Sequence, residues 1–405
     1  MILLLRFVAL RLLALCCSGL APAVAQPAAN AIGDGRQVVS PEIGGDRAVT
    51  FRLYAPHAKS VIVIGDLLPR NARLVKDDAT GIWTYSSPPL PPGLYGYYFN
   101  IDGIRFSDPS NLFTHAGARF LKSYVEIKGD GTEYWSQRDV PPGQLHELWY
   151  KNPQLGARHM IVYTPPGYDP AAAKTYPVVV LFSGSGDNET YWTKIGRAHF
   201  VMDNLIAEGK AKPAILVMPY GSIAVPSAPD GQEDTVDGIY SVRAIERDLI
   251  DHAFPLLERQ FKIGTEPKDR AIYGFSMGGY LAPTIGLNNP GVFGWVAGAS
   301  ASYRGEGVPR LNFKRLESQL ELAKKNLRWA GLTAGDDQAS GENGHAPANK
   351  AAADYLNGLG LKVEWSHAPG GSHTWMSWRG YFRDLMVDKF FVENPYSTPK
   401  VGTPR

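Results

Sequence analysis

From Ala48 to Ile127 apolar and polar positions alternate in short runs. Val49, Phe51 and Leu53 are interleaved with Thr50 and Arg52, the two-residue period of a half-buried strand. Val61 to Ile64, Trp83 to Ser86, Tyr95 to Phe99 and Ser123 to Ile127 read as further strands. The segments between them carry turn formers: Asp77-Asp78, Gly81, Pro91-Pro92-Gly93 and Asp102-Gly103. Short, closely spaced strands without a helical period predict a small all-β, immunoglobulin-like sandwich over residues 47–128. Residues 26–46, rich in Gly, Ala and Pro, read as a flexible lead-in. Residues 129–156 read as a linker with an aromatic cluster of Tyr134, Trp135, Trp149 and Tyr150.

Beyond residue 157 the pattern changes. Met160 to Tyr163 is a strand, and Pro177 to Phe182 and Ala214 to Met218 are continuous apolar runs, as strands buried on both faces require. Arg243 to Phe261 is apolar at helical spacing through Ile245, Leu249, Ile250, Phe254, Leu257 and Phe261. Ala271 to Tyr273, Trp295 to Ala297, Leu327 to Thr333 and Val363 to Ser366 read as later strands with helices between them. This alternation predicts an α/β domain with a mostly parallel central sheet over 157–395, then a tail over 396–405.

The chain length of 405 residues suits two domains. A formal net charge of +2, with no basic stripe, gives no reason to expect a nucleic-acid partner. At the N-terminus a leucine-rich stretch from Ile2 to Leu20, with Arg6 and Arg11, precedes Ala23-Val24-Ala25. That is the pattern of a signal peptide over 1–25, cut after Ala25, and it implies a secreted or periplasmic protein with no membrane attachment afterwards. Both cysteines, Cys16 and Cys17, fall inside it. The mature chain would then have neither a disulfide nor a cysteine nucleophile.

The chemistry centres on Gly274-Phe275-Ser276-Met277-Gly278. A serine between glycines, with an apolar strand before it and a helix-compatible segment after it, is the strand-to-helix elbow of the α/β-hydrolase fold. Ser276 is the candidate nucleophile. A serine hydroxyl needs a base, which in this fold follows it in the chain. His345, His367 and His373 follow Ser276. His373 stands in Gly370-Gly371-Ser372-His373-Thr374-Trp375, just beyond the last predicted strand, and is the candidate base. His367 lies at the strand end and suits a structural hydrogen bond. His345, in a long polar segment, reads as a surface histidine. For the orienting acid, Gly335-Asp336-Asp337-Gln338 offers two carboxylates. Asp337 is favoured, Asp336 stays open with a loop-backbone role as its alternative, and Glu342 comes third. Met277 N–H and Ser185 N–H, the latter in Ser183-Gly184-Ser185-Gly186-Asp187, are the candidate oxyanion donors.

The segments 176–184, 270–279 and 369–375 resemble the esterase D-like hydrolases. That group includes carbohydrate esterase family 1 (feruloyl and acetylxylan esterases), enterobactin esterases and mycolyltransferases. Residues 49–56, 81–83, 92–99 and 102–103 resemble the early-set sandwich of glycogen-binding modules. The resemblance covers about 45–392 and departs from the family at three points. Ser183-Gly184 replaces a usual His-Gly, Ser372 intrudes before His373, and Gln338 stands where relatives often place the acid. What it implies is a serine ester hydrolase, with a Ser-His-Asp triad, that removes feruloyl or acetyl groups from plant cell-wall xylan. The alternative is a siderophore or other small-ester hydrolase, and a non-catalytic glycan-binding protein comes third.

Trp192 and Trp375, with Tyr191 and Trp378, are candidates for stacking on a substrate ring, with core packing as the equal alternative. Trp83, Tyr95 and Tyr97 on the sandwich read as core rather than glycan-binding surface. Nothing resembles H-E-x-x-H or a P-loop, so no metal or nucleotide cofactor is expected. Acyl preference would depend on loops such as 221–240.

Overall fold

The computed structural model describes residues 38–403, apart from 67, 70–71, 119, 224–234, 237–239, 302, 304–311 and 337–344. The expected signal peptide therefore lies outside the described residues, as do Asp337, Glu342 and most of the loop 221–240.

The first module is a sandwich of two antiparallel sheets. Its main strands are β1 (Val49–Tyr54), β2 (Val61–Gly65), β3 (Ile82–Ser86), β4 (Gly93–Ile101) and β5 (Leu121–Ile127). β1 pairs with β3, while β4 lies between β2 and β5. Val49, Phe51 and Leu53 face inward with Val61, Val63, Trp83, Tyr95, Tyr97 and Phe99. The aromatics' polar tips are satisfied inside the module. Trp83 Nε1 donates to the Ala55 carbonyl at 2.8 Å, Tyr95 OH to the Pro91 carbonyl at 2.7 Å and Tyr97 OH to Asp108 at 2.8 Å. These residues are core, and no stacking surface is built from them.

The second module holds an eight-stranded sheet. Its strands are β6 (Gln144–Asn152), β7 (Gly156–Thr164), β8 (Val178–Phe182), β9 (Ile215–Pro219), β10 (Arg270–Phe275), β11 (Trp295–Ala299), β12 (Trp329–Gly335) and β13 (Val363–Ala368). Their order is β6-β7-β9-β8-β10-β11-β12-β13. β6–β7 and β7–β9 are antiparallel, and every later pair is parallel. The linker expectation therefore fails at 144–152, which is an edge strand of this sheet. Leu145 and Trp149 are exposed on it, so it carries no apolar run and reads as a connector. The inner strands β8, β9, β10, β11 and β12 are buried throughout. One face packs against helix α2 (Met277–Asn288) through Leu281 and Ile285. The other packs against α1 (Ala198–Ala207) and α4 (Trp375–Asp384), while α3 (His345–Gly358) lies on the same face as α2, beside β12 and β13.

The two modules share a core. Leu94 and Tyr124 of the sandwich belong to the hydrophobic cluster of α1 and α4, and Met376 of α4 packs against the sandwich cluster. Polar bonds tie the seam: Ala118 N–H to the Gly186 carbonyl at 2.7 Å, His115 to Thr190 Oγ1 at 2.8 Å, and two bonds from Arg197 to Glu126 at 2.9 and 2.8 Å.

Candidate active site

β10 runs buried into Ser276, whose backbone adopts φ 55° and ψ −119°, outside the regions that an L-residue ordinarily occupies. The Ser276 N–H donates to the Ala299 carbonyl at 2.9 Å, which pins the corner to β11. Only glycine fits beside it. A Cβ on Gly274 would stand 2.2 Å from the Gly278 carbonyl oxygen, and one on Gly278 would stand 2.6 Å from those of Phe182 and Ser183. The elbow thus brings β8, β10 and the start of α2 into van der Waals contact, which is the backbone demand behind the motif. Met277 opens α2, so its N–H belongs to the helix's first turn, whose amides lack intrahelical acceptors and carry the positive end of the dipole.

His373 stands on the loop between β13 and α4. Short bonds shape that loop: Gly371 N–H to the Ala368 carbonyl at 3.0 Å, Ser372 N–H to Ser377 Oγ at 2.8 Å and Thr374 N–H to the Ser372 carbonyl at 2.8 Å. The extra Ser372 also pairs its hydroxyl with Thr374 Oγ1 at 2.9 Å. His373 Nε2 lies 3.0 Å from Ser276 Oγ, across 97 residues of sequence. Its ring is braced on two sides. Trp378 meets it edge-on at 4.8 Å, and His345 stacks on it at 4.7 Å. Trp378 in turn stacks on Phe275 at 3.9 Å, so one indole links the residue before the serine to the imidazole. His345 is therefore no surface histidine. It opens α3, and its Nδ1 lies 3.0 Å from the Ala301 carbonyl.

Asp336 does not serve His373 directly. Its Oδ1 lies 2.8 Å from His367 Nε2, and its Oδ2 accepts the Gly370 N–H at 2.7 Å. That amide, with His367, holds its pKa below the ordinary carboxylate value. His367 thus has the structural role expected of it, and Asp336 binds the loop backbone.

Ser276 and His373 open into a cleft of about 170 Å³. Ser185 and Asp187, from the loop after β8, form one wall. Trp375 and Trp378, from the start of α4, form another. Trp192 is absent from the lining: it is 0% exposed and packs among Tyr273, Phe275, Trp375 and Phe382, so its expected contact with substrate is corrected to a core role. The sequence reading missed the third wall, which is Asp66, Lys122 and Tyr124 of the sandwich. No local spacing connects those positions to Ser276. Burial pushes the Asp187 carboxyl up to about 7, against the opposing charge of Lys122, and raises Asp66 as well.

An elbow serine with an imidazole on its hydroxyl, at the carboxyl edge of a parallel sheet covered on both faces, defines an α/β-hydrolase. More narrowly, residues 155–385 match the Esterase family, and the chain belongs to it. Residues 38–113 match carbohydrate-binding module 48, the isoamylase N-terminal domain. Among curated proteins the chain is similar to an endo-1,4-beta-xylanase/feruloyl esterase of Xylanibacter ruminicola. The two are 30% identical over 347 residues, which is 84% of this chain and 44% of that protein. The chain spans less than half the length of the curated relatives it matches. Among solved structures it resembles a ferulic acid esterase of Anaeromyces mucronatus, with TM-score 0.52 and 20% identity over 66% of this chain and 98% of that one. It also resembles the enterobactin esterase of Shigella flexneri, with TM-score 0.58 and 19% identity over 84% and 92%. At these identities the structural likeness concerns the fold.

Proposed function

We propose that the protein is an exported serine esterase that releases feruloyl groups from plant cell-wall polysaccharide, with Ser276 as nucleophile and His373 as base. The observation that carries the reading is the 3.0 Å approach of His373 Nε2 to the hydroxyl of an elbow serine. His373 takes the Ser276 proton as Oγ attacks the ester carbonyl. The N–H groups of Met277 and Ser185 hold the oxyanion. His373 then protonates the departing sugar oxygen, leaving an acyl-enzyme. A water, deprotonated by His373, attacks it, His373 returns that proton to the departing Ser276 Oγ, and ferulic acid and free Ser276 result. With Asp336 engaged by His367 and Gly370, Asp337 is the carboxylate we assign to orient His373. Acetyl removal from xylan falls within the same chemistry.

The feruloyl assignment draws on the xylanase/feruloyl esterase relative, and export on the N-terminal signal pattern. A second reading, a siderophore trilactone esterase, is favoured by the Shigella flexneri structure, whose likeness extends over both modules. The test uses residues 26–405 on methyl ferulate, acetylated xylan and enterobactin. Wild type should hydrolyse methyl ferulate, and Ser276→Ala should lower kcat by at least about 10⁴-fold. Turnover of enterobactin alone would select the second reading. Equal inertness of both proteins on every ester would refute the enzyme assignment.

A further inference from the structure

Three side chains of the sandwich reach the cleft, yet the steps at Ser276 and His373 use none of them. Asp66 follows β2 and accepts the Gly96 N–H at 2.9 Å. Lys122 and Tyr124 lie two residues apart on β5, so they share one face of that strand. Lys122 Nζ lies 5.4 Å from the Phe120 ring, and its charge acts on both Asp66 and Asp187. Asp187 comes from the other module, on the same loop as the candidate oxyanion donor Ser185.

Two carboxyl groups and one ammonium in a cleft this small are expensive unless polar partners complete them. Their chemistry is also selective. A carboxylate only accepts hydrogen bonds and an ammonium only donates them, whereas a hydroxyl does both. A hydroxyl between them donates a hydrogen bond to a carboxylate and accepts one from Lys122. An apolar group in the same place offers Lys122 no acceptor and adds no donor to the backbone amides that Asp66 and Asp187 already have.

We propose that Asp66, Lys122 and Asp187 form a polar subsite, built jointly by the two modules, that binds a hydroxyl group on the non-reacting part of the ester. The subsite rests on the reading of Ser276 as an esterase nucleophile. It gives the N-terminal module a direct part in substrate choice, separate from any glycan binding on its own surface. Two parts of a feruloyl ester carry such a hydroxyl: the phenol of the acyl group and the sugar of the leaving group.

The experiment measures two kcat/KM ratios in wild type, Lys122→Met, Asp66→Asn and Lys122→Gln. The ratio of methyl ferulate to methyl cinnamate reports the phenolic hydroxyl. The ratio of 5-O-feruloyl-arabinose to methyl ferulate reports the sugar. Each ratio is internal to one protein sample, so loss of folded material cancels. If the subsite takes a hydroxyl, one ratio exceeds unity in wild type and falls about tenfold or more in Lys122→Met and Asp66→Asn. Whichever ratio falls identifies the source, and Lys122→Gln, which keeps a donor, loses less. If both ratios stay within about twofold of wild type in every variant, the subsite is refuted while the esterase reading stands. A wild-type protein inert on all three esters would overturn both.

Discussion

The buried carboxyl of Asp187 makes a prediction about stability that needs no substrate. Its folded-state pKa stands at about 7 because burial disfavours the anion, while its ordinary value is 3.8. The folded state therefore keeps a proton that the unfolded chain releases, and stability falls as pH rises from about 4 to about 7. The full linkage corresponds to about 4 kcal/mol. The cleft is open to water, which screens the effect, so about half of that, ~2 kcal/mol, is the expected size. Asp187→Asn keeps the shape and an acceptor but has no charge to bury. The stability of the variant relative to wild type should thus improve by ~2 kcal/mol between pH 4 and pH 8. Urea denaturation at pH 4, 6 and 8 measures this, with m held constant between the proteins. Other titrating groups cancel in the difference, apart from Asp66, whose charge contributes to the upward shift of Asp187. A difference that stays the same at all three pH values would refute the buried-carboxyl account. So would a variant that loses ground at pH 8.

Three further outcomes follow from packing. Asp248 is buried and accepts from Arg158 Nε at 2.9 Å, Tyr150 OH at 2.8 Å and Asn152 Nδ2 at 2.8 Å. Asp248→Ala should cost about 3–5 kcal/mol by urea denaturation, since the buried Arg158 loses its counter-charge. Gly278→Ala drives a methyl group to 2.6 Å from two carbonyl oxygens at the elbow, and kcat on methyl ferulate should fall about a hundredfold through displacement of Ser276. Arg379 is fully buried under Trp135, and its guanidinium nitrogens have no hydrogen-bond partner among the described residues. Arg379→Met should therefore raise stability by about 1 kcal/mol, and a loss above about 2 kcal/mol would refute that account.

What could be read from the sequence were the features written into contiguous residues. The elbow is one, because Gly274 and Gly278 answer to carbonyl oxygens a few bonds or one strand away. The buried parallel strands are another, because burial on both faces leaves a continuous apolar run. β6 could not be read that way, since an edge strand with one half-buried face has no such run. The aromatics show where local pattern stops. Trp192 and Trp378 are both largely buried tryptophans near the nucleophile, yet only Trp378 reaches the cleft and touches His373. Nothing in their neighbours' identities decides this; the packing of α4 on Phe275 does. His345 was misread for a related reason. The polar residues before it hide a helix start whose first side chain lies on the base.

The largest omission is also the most consequential. A sandwich that matches a carbohydrate-binding module invites the reading of an appendage that brings the enzyme to its polymer. The aromatics that such a reading would use are spent in the module's own core. What the module presents to the hydrolase is instead a charged edge, Asp66 and Lys122, set against Asp187 over the nucleophile. The seam is held by a shared apolar core and the paired bonds of Arg197 with Glu126. The hydrolase module without its partner would keep Ser276 and His373 but lose one wall of the cleft. Its chemistry is therefore local to one module, while its selectivity is a property of the pair.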